Sequence, residues 1–112
     1  MNGLVGIDII RENRFEEIDL YKEMDFYKKI FTTREINSNL DKEDPDFLFS
    51  QAFSIKEAIW KVVDVEFKEI EIINESDHLD IYLDDEKLEK YGILVDTFKI
   101  GKNIVSIAMK LY

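Results

Sequence analysis

Apolar positions change their period twice along the chain, and each change marks a change of element. Residues 3–10, GLVGIDII, form a short apolar run with β-branched members and read as a buried first strand. From Arg11 to Phe31, Phe15, Ile18, Leu20, Tyr21, Met24, Phe26, Tyr27 and Ile30 recur mostly three or four apart, which predicts helix in one or two pieces. Thr32 stands three residues before Glu35, the capping-box spacing in which each side chain satisfies the other residue's free backbone N–H, so a short helix to about Leu40 follows. Asp44 can cap a further helix whose first position is Pro45, where no N–H is needed. Leu48, Ala52, Ile55, Ile59 and Val62 then keep helical spacing, giving a long helix from about Pro45 to Val63.

Beyond Asp64 the period shortens to two. FKEIEII, from Phe67 to Ile73, and HLDIYL, from His78 to Leu83, alternate around the turn residues of Asn74 to Asp77 and read as an antiparallel hairpin. DDEKLEKYG, residues 84–92, reads as one or two helical turns ended by Gly92. ILVDTFKI and NIVSIAMKLY flank Gly101 and Lys102 as a second hairpin. The order, one strand, several helices, then four strands, predicts a single α+β domain over residues 1–112, an antiparallel β-sheet packed on one long α-helix.

Composition narrows the chemistry. A hydrophobic share of 46%, with 8 Phe, 5 Tyr and 1 Trp, supplies a core. The absence of Cys removes disulfides, thiolate metal sites and cysteine nucleophiles, and the single His, His78, removes polyhistidine sites. A net charge of −10, spread along the chain, argues against nucleic acid, whose phosphates need surplus Lys and Arg. No apolar run is long enough to span a membrane and the first residues lack the pattern of a signal peptide, so a cytoplasmic location is expected. Carboxylate, lysine and hydroxyl chemistry remain, with a hard cation as the natural companion.

Two places stand out. Asp8 lies inside an apolar strand, where an ionised carboxylate must reach solvent, a donor or a cation; its simplest role is to cap the helix that follows. Lys56, Glu57 and Lys61 cluster in the long helix, where Glu57 and Lys61, four apart, read first as an exposed ion pair that contributes only ~0.3 kcal/mol.

Together, GIDII at residues 6–10, FSIKEAIWK at residues 53–61 and FKEIEI at residues 67–72 resemble the 4′-phosphopantetheinyl transferase superfamily, in particular its short holo-acyl-carrier-protein synthase branch. The resemblance covers most of the chain. It implies Mg²⁺-dependent transfer of 4′-phosphopantetheine from coenzyme A to a serine of an acyl carrier protein. In that reading Asp8 and Glu57 hold Mg²⁺ against the pyrophosphate, and Glu57 also accepts the serine proton. Lys61 neutralises phosphate and supports the leaving group, Lys56 is a weaker candidate for coenzyme contact, and Phe53 is placed for core packing ahead of a pantetheine contact. The resemblance further implies a homotrimer with sites between neighbouring subunits, and a carrier protein docked on Arg11 and Arg14, with Lys22, Lys28 and Lys29 adding to the patch.

Several family features are absent. Ala52 stands where the family has a phosphate-binding Arg, the Gly-rich stretch that follows the family's helix is missing, no Gly occurring between Gly6 and Gly92, and Trp60 replaces a small residue, closing the nucleotide pocket or stacking on the adenine. The Ser-x-Ser-His signature is lost from the region of ILVDTFKI, where Asp96 and Thr97 offer other polar groups. The alternative expectation is therefore a catalytically degenerate relative acting as a binding or assembly module.

Overall fold

The computed structural model describes residues 4–75 and 78–111. Strand β1 runs from Leu4 to Arg11, followed by helices α1 (Met24–Ile30), α2 (Thr33–Leu40) and α3 (Pro45–Trp60). Strands β2 (Ile70–Asn74), β3 (Leu79–Leu83), β4 (Glu86–Lys87), β5 (Ile93–Ile100) and β6 (Asn103–Lys110) complete the chain. The α+β class holds, but the strands form two antiparallel three-stranded sheets rather than one, in the orders β1-β6-β5 and β2-β3-β4. The first strand returns to pair with the last, Asp8 standing opposite Ser106. This non-local pairing has no local signal in the sequence.

Both helix starts follow their capping signals. The Thr32 hydroxyl accepts from Glu35 N at 3.1 Å while Glu35 Oε1 accepts from Thr32 N at 2.8 Å. The Asp44 carboxylate accepts from Phe47 N at 3.2 Å beside Pro45. α3 ends at Trp60, short of the expected Val63, where the N–H of Val62 turns back to Ile59 O, three residues before it, and the last turn tightens.

The segment from Arg11 to Phe31 departs most from expectation, being helical only over Met24–Ile30. Between Arg11 and Ile18 the backbone closes successive three-residue turns, and Asp19 Oδ1 accepts from the N–H groups of Tyr21 and Lys22. Such local side-chain bonds offer the backbone an alternative to helix. The turns still bury Phe15 and Leu20, so the apolar spacing serves the core without a helix. Phe15 meets the rings of Tyr27, Phe31, Phe49 and Phe53 at centroid distances from 5.6 to 6.3 Å.

Smaller corrections follow the same logic. Phe67–Glu69 forms a 3₁₀ turn ahead of β2, closed by Glu69 N donating to Glu66 O, instead of beginning the strand. Asp84 and Asp85, both with positive φ, turn the chain into the short β4, and the expected helical turns reduce to a 3₁₀ segment, Leu88–Tyr91, ended by left-handed Gly92. Both hairpins form, though Ser76 and Asp77 of the first turn, like Gly3 of the first strand, lie outside the described residues.

α3 packs on the inner face of the β1-β6-β5 sheet, and Gly6 sets how closely. A Cβ at Gly6 would lie 2.4 Å from Ala58 O and 2.8 Å from Lys61 Cβ, so only glycine lets β1 press against the end of α3. Gly6→Ala is expected to lower stability by ~1–3 kcal/mol, read from the urea midpoint, because backbone rather than a flexible side-chain tip must give way.

Candidate active site

Asp8 and α3 meet at this close approach. Cα partners in the register share a sheet face, so Gly6, Asp8, Ser106, Thr97 and Ala108 all face α3. Beneath Asp8, Ser54 donates to Ser106 at 2.9 Å, and Ser106 lies 3.1 Å from the Thr97 hydroxyl, a hydroxyl chain that joins α3 to both strands. Asp8 sits in the middle of β1 and caps no helix.

On α3, Phe53, Glu57, Trp60 and Lys61 are spaced i, i+4, i+7 and i+8 and so share one face. Lys61, at the C-cap of α3, donates to Ile7 O at 2.6 Å and stands 3.7 Å from Asp8 Oδ1. Burial raises the Glu57 pKa, the Asp8 carboxylate raises it further, and Lys61 opposes both. Asp8 and Glu57 are therefore electrostatically coupled across one small space, with one ammonium against two carboxylates.

That coupling has a sign. Native Glu57 keeps its proton to higher pH than in the unfolded chain, so its contribution lowers stability as pH rises from the unfolded value through the raised native one. Asp8→Asn removes the second cause and is expected to bring the Glu57 midpoint down, measured by carboxyl ¹³C shifts through a pH titration.

Lys56 lies elsewhere. It is fully buried, and its ammonium donates to Glu35 Oε1 at 2.6 Å, Ile30 O at 2.8 Å and Phe67 O at 2.9 Å, which uses all three donors. Glu35 is equally buried, and its second oxygen accepts from Ile72 N at 2.9 Å. Burial pushes the Glu35 carboxyl up and the Lys56 amine down, and their contact opposes both shifts. The pair ties α1, α2, α3 and β2 into one unit. Sequence spacing marks Glu35 as a helix cap but carries no signal that it also serves Lys56.

Phe53 is half-buried, edge-on to Phe15 at 5.7 Å and to Phe67 at 5.9 Å, as core packing requires. Ala52 is in the core, and Trp60 is 53% exposed. Arg14 lies over the Phe15 ring, and Glu12, Glu16, Asp44 and Asp46 line an acidic cleft that also holds Lys99. Among the described residues no three His, Cys, Asp or Glu side chains gather as a metal cluster, so any ion at Asp8 and Glu57 would rest on two protein carboxylates. The donor set suits a hard divalent cation: oxygen only, anionic, and with charge left over after Lys61. No helix among the described residues is long and apolar enough to cross a membrane.

The α+β domain thus brings the strand-borne Asp8 against the helix-borne Glu57 and Lys61. The chain belongs to the 4′-phosphopantetheinyl transferase superfamily, which its residues 4–100 match. It is 32% identical over 95 residues to the holo-[acyl-carrier-protein] synthase of Chlamydia caviae, covering 80% of this chain and 78% of the relative. The fold matches the crystal structure of holo-[acyl-carrier-protein] synthase from Neisseria meningitidis with a TM-score of 0.74 at 16% identity, over 96% of this chain and 97% of that one. It also matches the Helicobacter pylori holo-[acyl-carrier-protein] synthase solved in complex with coenzyme A, with a TM-score of 0.67 at 22% identity, over 94% of this chain and 97% of that one. The resemblance drawn from the GID and KEA motifs thus holds at the level of family and fold.

Proposed function

We propose that the protein transfers 4′-phosphopantetheine from coenzyme A to a serine of an acyl carrier protein, with Mg²⁺ held by Asp8 and Glu57. The observation that carries this reading is the Lys61 ammonium, 3.7 Å from Asp8 Oδ1 and one helical turn beyond Glu57. Bound there, Mg²⁺ would supply charge screening and polarisation of the pyrophosphate. The carrier's serine oxygen forms a bond to the β-phosphorus, the bond from that phosphorus to the bridging oxygen breaks, and adenosine 3′,5′-bisphosphate leaves. Glu57 takes the serine proton. Lys61 offsets the negative charge that grows on the departing phosphate. Lys56, with no donor to spare, acts through the fold and not on the coenzyme. Phe53 supports α3 beneath the pantetheine arm.

Incubating the protein with coenzyme A, Mg²⁺ and apo carrier protein, then weighing the carrier by mass spectrometry, tests the reading. A carrier heavier by one phosphopantetheine is expected, and the gain should vanish in Asp8→Ala. An unchanged mass with the carrier from the same source would leave the binding-module reading, which draws on Ala52 in place of a phosphate-binding Arg.

The assembly reading is a homotrimer in the cytoplasm. Its support is the outer face of the β1-β6-β5 sheet, where Val5, Ile7 and Ile9 are 59, 51 and 65% exposed next to Leu94, Phe98 and Met109. A contiguous apolar sheet face calls for cover, and other copies of the chain supply it. Ile7→Lys, on the face away from Asp8, is expected to yield monomers in sedimentation analysis.

A further inference from the structure

Two lysines, Lys56 within α3 and Lys61 at its C-cap, are held in opposite ways. Lys56 is fully buried with all three donors bound, so its ammonium is fixed. Among the described residues Lys61 donates to one group only, Ile7 O at 2.6 Å. It stands 3.7 Å from Asp8 Oδ1, beyond hydrogen-bond distance, and 42% of its side chain is exposed. Its stem is flexible, so the ammonium leaves this place at the loss of one hydrogen bond and one loose ion pair.

The ammonium nevertheless rests where a divalent cation needs access. Ile7 directly precedes Asp8 in β1, and the Lys61 stem starts beside Gly6, so the charge is tethered next to the Asp8 carboxylate. A metal ion taking Asp8 Oδ1 as a ligand meets the ammonium beside the same oxygen and is repelled. Among the described residues no third carboxylate gathers with Asp8 and Glu57 to offset that repulsion. A pyrophosphate changes both conditions. Its oxygens add ligands for the ion, and their negative charge draws the ammonium off Asp8.

Resting on the transferase reading, we infer that Lys61 is a tethered counter-cation, held against Asp8 so that it weakens metal binding until the donor's pyrophosphate draws it away, which makes metal and coenzyme A bind cooperatively. The coupling is reciprocal, since each ligand raises the affinity for the other by the same factor. It also keeps the Asp8 carboxylate countered in the free chain, where 17% of its side chain is exposed.

Free Mn²⁺, followed by electron paramagnetic resonance as the chain is added, gives the metal affinity with and without coenzyme A. In the parent, coenzyme A is expected to tighten Mn²⁺ binding at least about tenfold. Lys61→Met keeps an unbranched stem and removes the charge. It is expected to tighten Mn²⁺ binding about tenfold without coenzyme A and by much less with it, so that the coupling shrinks. Lys61→Arg, which keeps the charge, is expected to retain the weak binding of metal alone. A Lys61 that merely braces β1 against α3 predicts the reverse, weaker Mn²⁺ binding in Lys61→Met. That result, or equal tightening with and without coenzyme A, overturns the inference. So does a parent affinity for Mn²⁺ that coenzyme A leaves unchanged, a measurement that needs no variant. The mass gain of the carrier protein is read separately, so the transferase reading stands or falls without these results. Mn²⁺ binding that persists at parent strength in Asp8→Asn, with and without coenzyme A, overturns both.

Discussion

Glu35→Ala is expected to cost ~3–5 kcal/mol of folding stability, the usual consequence of leaving one member of a buried ion pair without its partner. Lys56 and Glu35 are both at 0% exposure, so water has no access to the stranded ammonium, and the N–H groups of Thr32 and Ile72 lose their acceptors as well. Against the ~5–15 kcal/mol that holds a typical domain together, this is a large fraction. Urea unfolding followed by circular dichroism checks it, the midpoint falling with little change of slope. The double substitution Glu35→Leu/Lys56→Met separates the pair from its setting. Removing both charges should recover a substantial part of the loss, since well-packed apolar groups often replace a buried pair at little cost. A loss below ~1 kcal/mol for Glu35→Ala would mean that Lys56 finds its neutral form or another partner easily, and the pair would lose its place as the junction of three helices and β2.

Glu57→Gln is expected to lower the rate of phosphopantetheine transfer by ~10²–10⁴-fold while leaving the fold intact. The amide keeps the shape of the side chain but neither accepts the serine proton nor contributes negative charge opposite Asp8. Glu57 is half-buried and makes no internal hydrogen bond through its carboxylate among the described residues, so its replacement should leave the urea midpoint near that of the parent. Single-turnover measurement with apo carrier protein separates the chemical step from coenzyme binding. Combining Glu57→Gln with Asp8→Asn should add little further loss, because both groups act on the same step. A loss below about tenfold would remove Glu57 from the proton transfer and leave it as a binding group only.

How far the residues spoke for themselves varies along the chain. The caps at Thr32 and Asp44 were legible because donor and acceptor lie within three residues of each other, and the alternation of β5 and β6 is just as local. The stretch after Arg11 was not. Its three-to-four spacing fits turns that bury Phe15 as well as it fits a helix, and hydrogen bonding to the Asp19 carboxylate is decided by loop geometry that spacing does not encode. In the KEA motif, adjacent residues part company by rotation about α3: Lys56 turns into the core and Glu57 toward Asp8. One step along a helix turns a side chain by about 100°, enough to carry one neighbour inside and leave the other at the surface.

From sequence alone come the α+β class, the capped helix that bears Glu57 and Lys61, the family resemblance, and the choice of Asp8 as its distant counterpart. Only the tertiary structure decides that Lys56 serves Glu35, that two sheets form, and that Gly6 admits α3 to the sheet. The reason is the reach of the forces involved. Capping, helical period and strand alternation act between residues a few positions apart and leave their mark in local order. Burial, close approach and charge coupling join residues separated by tens of positions, and they take effect only once the chain has folded.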